Sequence, residues 1–387
     1  MTVNLALQQL RKACPATTGG WRYFAAPGRV NIIGEHTDHN GGLVLPTTTA
    51  LHTYVGARLR ADNFLYVHSL NLNSSGLHAL TDDEIPDDWR RYVLGVAREL
   101  AAAGVRLPGL DLVISGDVPI GGGLSSSASL EVAVATAIAA LCNTDMDALT
   151  MARICQQAEH RYAGVACGIM DQLAVAACEE ASAMRLDCQT LGWRNVAIAP
   201  ELSLLVVDSG FRHELTDGRY NERTQDCQRA LAALNASGVS VDSLSDVSKD
   251  ALQTHESRMD EQAFRRLRHV VHENARVDVA VGALAAGNIR LLGEAVNNSH
   301  CSLRDDYEVS CEAIEALREV ALSCENVAGV RMIGGGFGGC VLILSHQAHS
   351  EAIADEIRCN YRTPAGDKPW LHQVSGAQPA REIQCHA

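Results

Sequence analysis

Between an apolar run, Leu110 to Val118, and a helix-spaced series, Leu130, Val134, Ile138 and Leu141, lies Pro119-Ile-Gly121-Gly122-Gly123-Leu124-Ser125-Ser126-Ser127-Ala128. A strand, a tight turn and a helix must follow one another here. Glycines let a backbone approach an anion with no Cβ in the way. The serines can cap the helix start, where free N–H groups and the helix dipole favour negative charge. A hydroxyl at such a turn can also ligate Mg²⁺. Three glycines and three serines in the seven residues from Gly121 to Ser127 exceed what capping alone requires.

Other readings of this loop fail on spacing. It lacks Gly-Lys-Ser/Thr, so it is not a Walker A loop. Ser125 and Ser127 lack the second glycine of G-x-S-x-G, so it is not a hydrolase elbow. Elsewhere, Gly334-x-Gly336-x-x-Gly339 does fit the dinucleotide fingerprint, but it opens onto an apolar strand, CVLIL, where a helix is required. That turn is expected to pack close to a bound nucleotide or to serve simply as a turn, and NAD is not expected.

The chain has 387 residues, long for one ordinary domain and comfortable for two. With 32 Lys and Arg against 46 Asp and Glu, its formal charge is −14, and aromatics are only 4%. No broad basic or stacking surface for nucleic acid or an anionic membrane is expected. A small anion such as ATP stays possible, because helix-start amides bind phosphate without net positive charge. Thirteen cysteines, an odd number with no C-x-x-C pair, read as reduced, buried, small hydrophobes. The first twenty residues lack a signal-peptide core, and no run approaches membrane-spanning length, so a cytoplasmic protein is expected.

Strands and helices interleave without regular βαβ repetition, which predicts an α+β fold. Strands are expected near 51–60, 65–70 and 110–119, with helices over 87–104, from Ser125 and from Asp147 to Arg161. A second region opens with the strand LSLLVVDS (202–209). It continues through a helix carrying Phe264, Leu267, Val271 and Ala275 on one face, then the strands on either side of GGGFGG. The boundary is placed near 195, giving units 1–195 and 196–387.

A second polar cluster spans residues 26–42, APGRVNIIGEHTDHNGG. Carboxylates, imidazoles and an arginine on a turn anchored by apolar residues suit a polyhydroxylated ligand, whose analogues lacking a hydroxyl would leave the site unpaired. A metal site built from Glu35, His36, Asp38 and His39 is a weaker reading, since helical His-x-x-x-His presentation is absent.

These segments, GRVNIIGEHTDHNGG, PIGGGLSSSASLEVA and MIGGGFGGC, resemble the three motifs of the GHMP small-molecule kinases, the first that of the galactokinase branch. CGIMDQLA (167–174), GRYNERTQDC (218–227), RHVVHENARV (268–277) and SHCSLRDDYEVS (299–310) extend the resemblance over most of the chain. It implies a two-lobed fold with the active site in the cleft, and ATP-dependent phosphorylation of the anomeric hydroxyl of galactose. Asp171 would be the catalytic base, or would orient the hydroxyl, with Arg29 beside it holding it ionised and stabilising transition-state charge. An ordinary structural ion pair is the alternative. Glu35, His36, Asp38, Gly168, Asp171 and Tyr220 would contact galactose; for Tyr220 a core position is the rival. Gly121, Gly122, Gly123, Leu124, Ser125, Ser126 and Ser127 would hold ATP, and Ser127 with Glu159 would hold Mg²⁺.

Helical spacing puts Glu159 on the face of Ala148, Ala152 and Cys155, aimed into packed structure unless the helix frays near Gly164. Two positions depart from the family pattern: His39 replaces a tyrosine, and Ile333 stands where threonine is common. His39 puts fine sugar selectivity in question, leaving kinases of N-acetylgalactosamine or arabinose, and a binding-only sensor, as rivals. A monomer or weak homo-oligomer is expected.

Overall fold

Strands buried on both faces read as continuous apolar runs, and Leu202–Asp208 (LSLLVVD) and Cys340–His346 (CVLILSH) are buried almost throughout. The computed structural model describes residues 4–15, 19–82, 84–212 and 216–384. Its first sheet contains β1 (Arg22–Asn31), β2 (Leu43–Val44), β3 (Pro46–Leu59), β4 (Phe64–Ser69), β5 (Ser74–Ala79), β6 (Leu110–Gly116), β7 (Ser182–Asp187) and β8 (Trp193–Ala197). The second contains β9 (Leu202–Asp208), β10 (Val327–Met332), β11 (Cys340–His346) and β12 (Leu371–Gln373), in the order β10-β11-β9-β12. A last strand, β13 (Arg381–Ile383), returns to the first sheet and pairs with β1, so the path there runs β13-β1-β3-β6-β4-β5. Pairing is antiparallel except between β4 and β6.

The helices are α1 (Leu5–Ala13), α2 (Arg90–Ala102), α3 (Ser126–Leu141), α4 (Ala148–Ala158), α5 (Met170–Ala177), α6 (Thr216–Ala236), α7 (Glu261–Ala285), α8 (Ile289–Asp305), α9 (Glu312–Ser323) and α10 (Ser350–Asn360). Helix α3 has no polar face: Ala128, Val132, Ala133, Val134, Ala135, Ala137 and Ile138 are all fully buried. An alanine-rich helix that is apolar all round belongs inside a core, and α3 lies between β1 and β3 on one side and α2, α4 and α5 on the other. Its N-terminus is therefore fixed in space.

The apolar residues of the 26–42 cluster are anchors, as expected. Val30, Ile32 and Ile33 are fully buried in one cluster with Val206, Val277, Leu342 and Leu344, which joins the first sheet to the second. Among the described residues no helix is long and apolar enough to cross a membrane. The twelve described cysteines are all free; Cys385 lies outside the described residues. The expectation that they are uniformly buried needs correction: Cys359 is exposed and Cys142, Cys167, Cys188, Cys301 and Cys311 are half-buried.

Candidate active site

A bulge in β1 starts the site. The register with β3 shifts between Pro27 and Arg29, and a Cβ on Gly28 would lie 2.9 Å from the Leu124 carbonyl oxygen. Glycine at that point lets β1 press against the Gly/Ser loop, so that the Arg29 amide donates to Leu124 O at 3.1 Å. The Arg29 side chain then reaches both sides of the turn. Nη1 donates to Gly123 O at 2.6 Å, while Nε and Nη2 donate to the two oxygens of Asp171 at 2.7 Å each. Such a fork is the strong, oriented form of an arginine–carboxylate pair. Asp171 sits in the first turn of α5, where a helix favours negative charge.

Ser125 completes this knot in an unexpected way. It occupies the N-cap position of α3 but makes no side-chain cap bond, in contrast to the capping role read from the sequence. Its φ of 56° turns the hydroxyl away from the helix amides and toward Asp171, to which it donates. The helix-start amides keep their capacity for an outside acceptor.

These groups face a cavity of about 410 Å³. It gathers Arg29, Glu35, His36, Asp38, Asp171 and Tyr220 with Gly121, Gly123, Ser125, Ser126, Ser127 and Glu159. Three of the expected residues do not line it. Gly122 is buried within the loop, Leu124 packs in the apolar cluster that joins the sheets, and Gly168 lies behind Asp38. A Cβ on Gly168 would overlap the Asp38 carboxylate, so its absence is what lets Asp38 take its place. His36, Ser125 and Phe337 all hold positive φ, between 56° and 60°, and all three line the cavity. Backbone strain of this kind is held in place only by surrounding structure and concentrates at working sites.

The wall opposite the loop is aromatic and polar. His36 stacks on Tyr307, with centroids 4.5 Å apart, and neither of its buried ring nitrogens has a hydrogen-bond partner in the protein. Burial, and then the nearby His39 and His269, push its pKa well below the ordinary value, so it stands as a neutral ring able to donate and accept. Burial opposes the charge on Asp38, but the His39 hydrogen bond and charge hold its carboxyl below the usual range. Tyr220 reaches His39 Nδ1 at 3.2 Å and lines the cavity, which places it at the site and not in the core.

Glu35 is committed inward. It accepts from Asn31 Nδ2 and from the Gly334 amide, each at 2.8 Å, and pairs with the buried Arg331. The GGGFGG turn is thus tied to residues 26–42, and Gly334 through Gly339 line the cavity between two strands.

The chemistry of the expected metal ligands fits a hard cation. Helix α4 does not fray at Glu159 but widens into a π-helical turn, Glu159–Ala163, which leaves that carboxylate buried. Glu159 hydrogen-bonds Ser127 and Gln172 Nε2, the latter at 2.6 Å. Burial, and then the charge of Asp171, push its pKa up. Nearby Glu131, fully buried in α3, has an oxygen with no partner and is pushed well up by burial and by Glu159. Crowded carboxylates with an orphaned oxygen suit a divalent cation held through oxygen. Among the described residues no three His, Cys, Asp or Glu side chains form a metal cage. An ion on Ser127 and Glu159 would complete its shell with phosphate and water, the habit of Mg²⁺.

Two features escaped the sequence reading. A second, apolar pocket of about 230 Å³ opens beside Ser126 and Ser127, lined by Leu72, Trp89, Tyr92, Ile114, Ile120 and Leu130. Its residues come from separated elements, and only the Trp89–Tyr92 spacing on α2 hinted at a shared face. Arg212 lines the main cavity beside Gly121 and Gly122, held by Asp208 at 2.7 Å.

Family models for the N-terminal and C-terminal domains of GHMP kinases match residues 91–179 and 280–363. With α3 aimed at the cavity, these matches define the class as a kinase of the GHMP fold. Mevalonate kinase, 16% identical with a TM-score of 0.64 over 93% of this chain and 98% of that one, shares that fold. A model described as the galactokinase galactose-binding signature matches residues 15–59. The galactokinase of Chloroflexus aurantiacus is 40% identical over 90% of both chains, and that of Canis lupus familiaris 40% over 87% of both. The crystal structure of Lactococcus lactis galactokinase complexed with galactose is 33% identical, with a TM-score of 0.92 over 97% of this chain and 100% of that one. The chain belongs to the galactokinase family.

Proposed function

We infer that this chain transfers the γ-phosphoryl group of ATP to the anomeric hydroxyl of α-D-galactose, giving α-D-galactose 1-phosphate and ADP, with Asp171 receiving the hydroxyl proton. The observation that carries the assignment of roles is the Arg29 fork, which holds Asp171 against the loop that would carry the phosphates. Phosphoryl transfer asks for positioning and charge stabilisation more than covalent chemistry, and Arg29 contributes to both.

In this reading the phosphates lie on Gly121, Gly122, Gly123, Leu124, Ser125, Ser126 and Ser127. Gly122 and Leu124 contribute backbone alone, and Arg212 closes the outer side. The apolar pocket beside Trp89 and Tyr92 takes the adenine ring. Galactose faces His36, Asp38, Asp171 and Tyr220, while Glu35 and Gly168 act from behind, as the clamp on Gly334 and the space for Asp38. Ser127 and Glu159 would hold Mg²⁺, which when bound neutralises phosphate charge. Two lobes, 1–195 and 196–387, flank the site; the passage from the first sheet to the second between Ala197 and Leu202 supports that boundary, while β13 (Arg381–Ile383) departs from the division by returning to the first sheet. A cytoplasmic monomer or weak homo-oligomer completes the proposal.

ADP release by the purified enzyme, with and without galactose and with and without Mg²⁺, is the test. Galactose-dependent release that stops on chelation supports the reading. Equal release without sugar, or none with it, overturns it.

A further inference from the structure

His39 lies behind the galactose-facing wall, with only 5% of its side chain exposed. Its two nitrogens point in different directions. Nδ1 lies 3.3 Å from Asp38 Oδ1 and 3.2 Å from the Tyr220 hydroxyl; Nε2 lies 3.1 Å from the Tyr307 hydroxyl. Tyr307 in turn stacks on His36 and is within 3.3 Å of Cys227 Sγ. One ring therefore joins Asp38, Tyr220 and, through Tyr307, His36. An ionised carboxylate only accepts, so Nδ1 must carry a proton, which it shares between Asp38 and Tyr220. That arrangement leaves the proton of the Tyr220 hydroxyl free to be given to a ligand.

We propose that His39 is a positioning residue for sugar recognition, a two-sided bridge that sets where Asp38 and Tyr220 meet galactose. The proposal rests on the galactose-kinase reading of this cavity and adds a residue that touches none of the reacting atoms. A side chain with one polar atom could hold Asp38 and Tyr220 or Tyr307, but not both sides together. The titratable groups around the ring are Asp38, His36, Tyr220, Cys227 and Tyr307, with His269 against Tyr307 on the far side. Burial disfavours the charged ring, yet its bonds to Asp38 and Cys227 and the Asp38 charge raise its pKa to about 9. The ring is charged below that pH. As pH rises through it the Nε2 proton leaves while Nδ1 keeps its own toward Asp38, so the Tyr307 hydroxyl becomes the donor to Nε2 and Asp38 loses its cationic neighbour. Burial pushes Tyr220 and Tyr307 far higher, so neither ionises in that window.

The experiment compares wild type, His39→Phe and His39→Asn, the last keeping a neutral donor near the Nδ1 position. KM and kcat are measured for galactose and ATP from about pH 6.5 to about pH 10, with galactose binding by calorimetry and melting temperature alongside. Expected for His39→Phe is a rise of about tenfold in KM and in the dissociation constant for galactose, with kcat and KM for ATP within about threefold. His39→Asn should recover part of that loss at pH 7, keeping the Asp38 and Tyr220 side but not the Tyr307 side. The wild-type KM for galactose should climb above about pH 9, and neither variant should show that limb. An unmoved galactose KM in His39→Phe, an alkaline limb that survives in His39→Asn, or a fall in melting temperature with all kinetic constants drifting together would overturn the proposal. Wild type that fails to phosphorylate galactose would overturn the underlying reading instead.

Discussion

The two walls of the cavity are made of different material. On the Gly/Ser-loop side, proposed to hold the phosphates, the contacts offered are mostly backbone: glycine turns and amides at the start of a helix buried on every side, with the Arg212 side chain at the edge. On the wall proposed to face galactose they are side chains, His36, Asp38 and Tyr220, each held by another buried side chain. A backbone wall is set by local chain geometry and binds any ligand with the right charge. A side-chain wall is set by packing at a distance and can discriminate between hydroxyls. Arg29 and Asp171 stand where the walls meet, and Arg29 touches the loop and the aspartate at once.

The sharpest way to break this division is at its seam. Asp171→Asn keeps the shape but removes the proposed base, and kcat should fall by about 10²- to 10⁴-fold, with KM for ATP nearly unchanged. Steady-state kinetics at saturating substrates measure it; near-normal turnover would remove Asp171 from the chemistry. Next, Gly168→Ala should damage only the side-chain wall. Its methyl group displaces the Asp38 carboxylate, and KM for galactose should rise about 10- to 100-fold. A comparable rise in KM for ATP would show that the walls are not independent.

Arg212→Ala should do the opposite on a smaller scale, raising KM for ATP about fivefold and leaving that for galactose alone. The gentlest probe is acid. Burial opposes ionisation of Glu273, but the Arg276 charge leads the groups that hold its pKa down at about 2, and it accepts from the Gly34 amide beneath the side-chain wall. Its stabilisation is complete above the ordinary carboxylate range and is lost as pH falls through about 2. The melting-temperature gap between wild type and Glu273→Gln should therefore be widest near neutrality and shrink by a few degrees between about pH 4.5 and about pH 2.

The same contrast explains what could be read from sequence. The Gly/Ser loop is contiguous, so its strand–turn–helix setting and its anion chemistry were legible from ten residues. Asp171 and Arg29 are 142 positions apart, and no local rule joins them; the family resemblance did. Ser125 shows the limit of a local rule, since a serine at an N-cap was read as a cap until a carboxylate from α5 took its hydroxyl. The apolar pocket beside Ser126 and Ser127 was invisible because β6, α2 and α3 each give it one or two apolar residues that look like ordinary core. The α+β class followed from interleaved strand and helix signals. The return of the last strand to the first sheet did not, because three residues of strand carry no signal of their partner.

That return has a consequence for how the enzyme is made. Arg381–Ile383 lies against Tyr23–Ala25, the Ala377 amide and carbonyl bond the Thr48 hydroxyl, and the Ala380 amide donates to the Val175 carbonyl in α5, the helix that carries Asp171 in its first turn. The strand bearing Arg29 and the helix bearing Asp171 are therefore fastened together by residues synthesised about two hundred positions after Asp171. A ribosome-bound nascent chain can fold much of its first sheet early, yet the Arg29 strand and the Asp171 helix acquire this suture only after the exit tunnel has released residue 383.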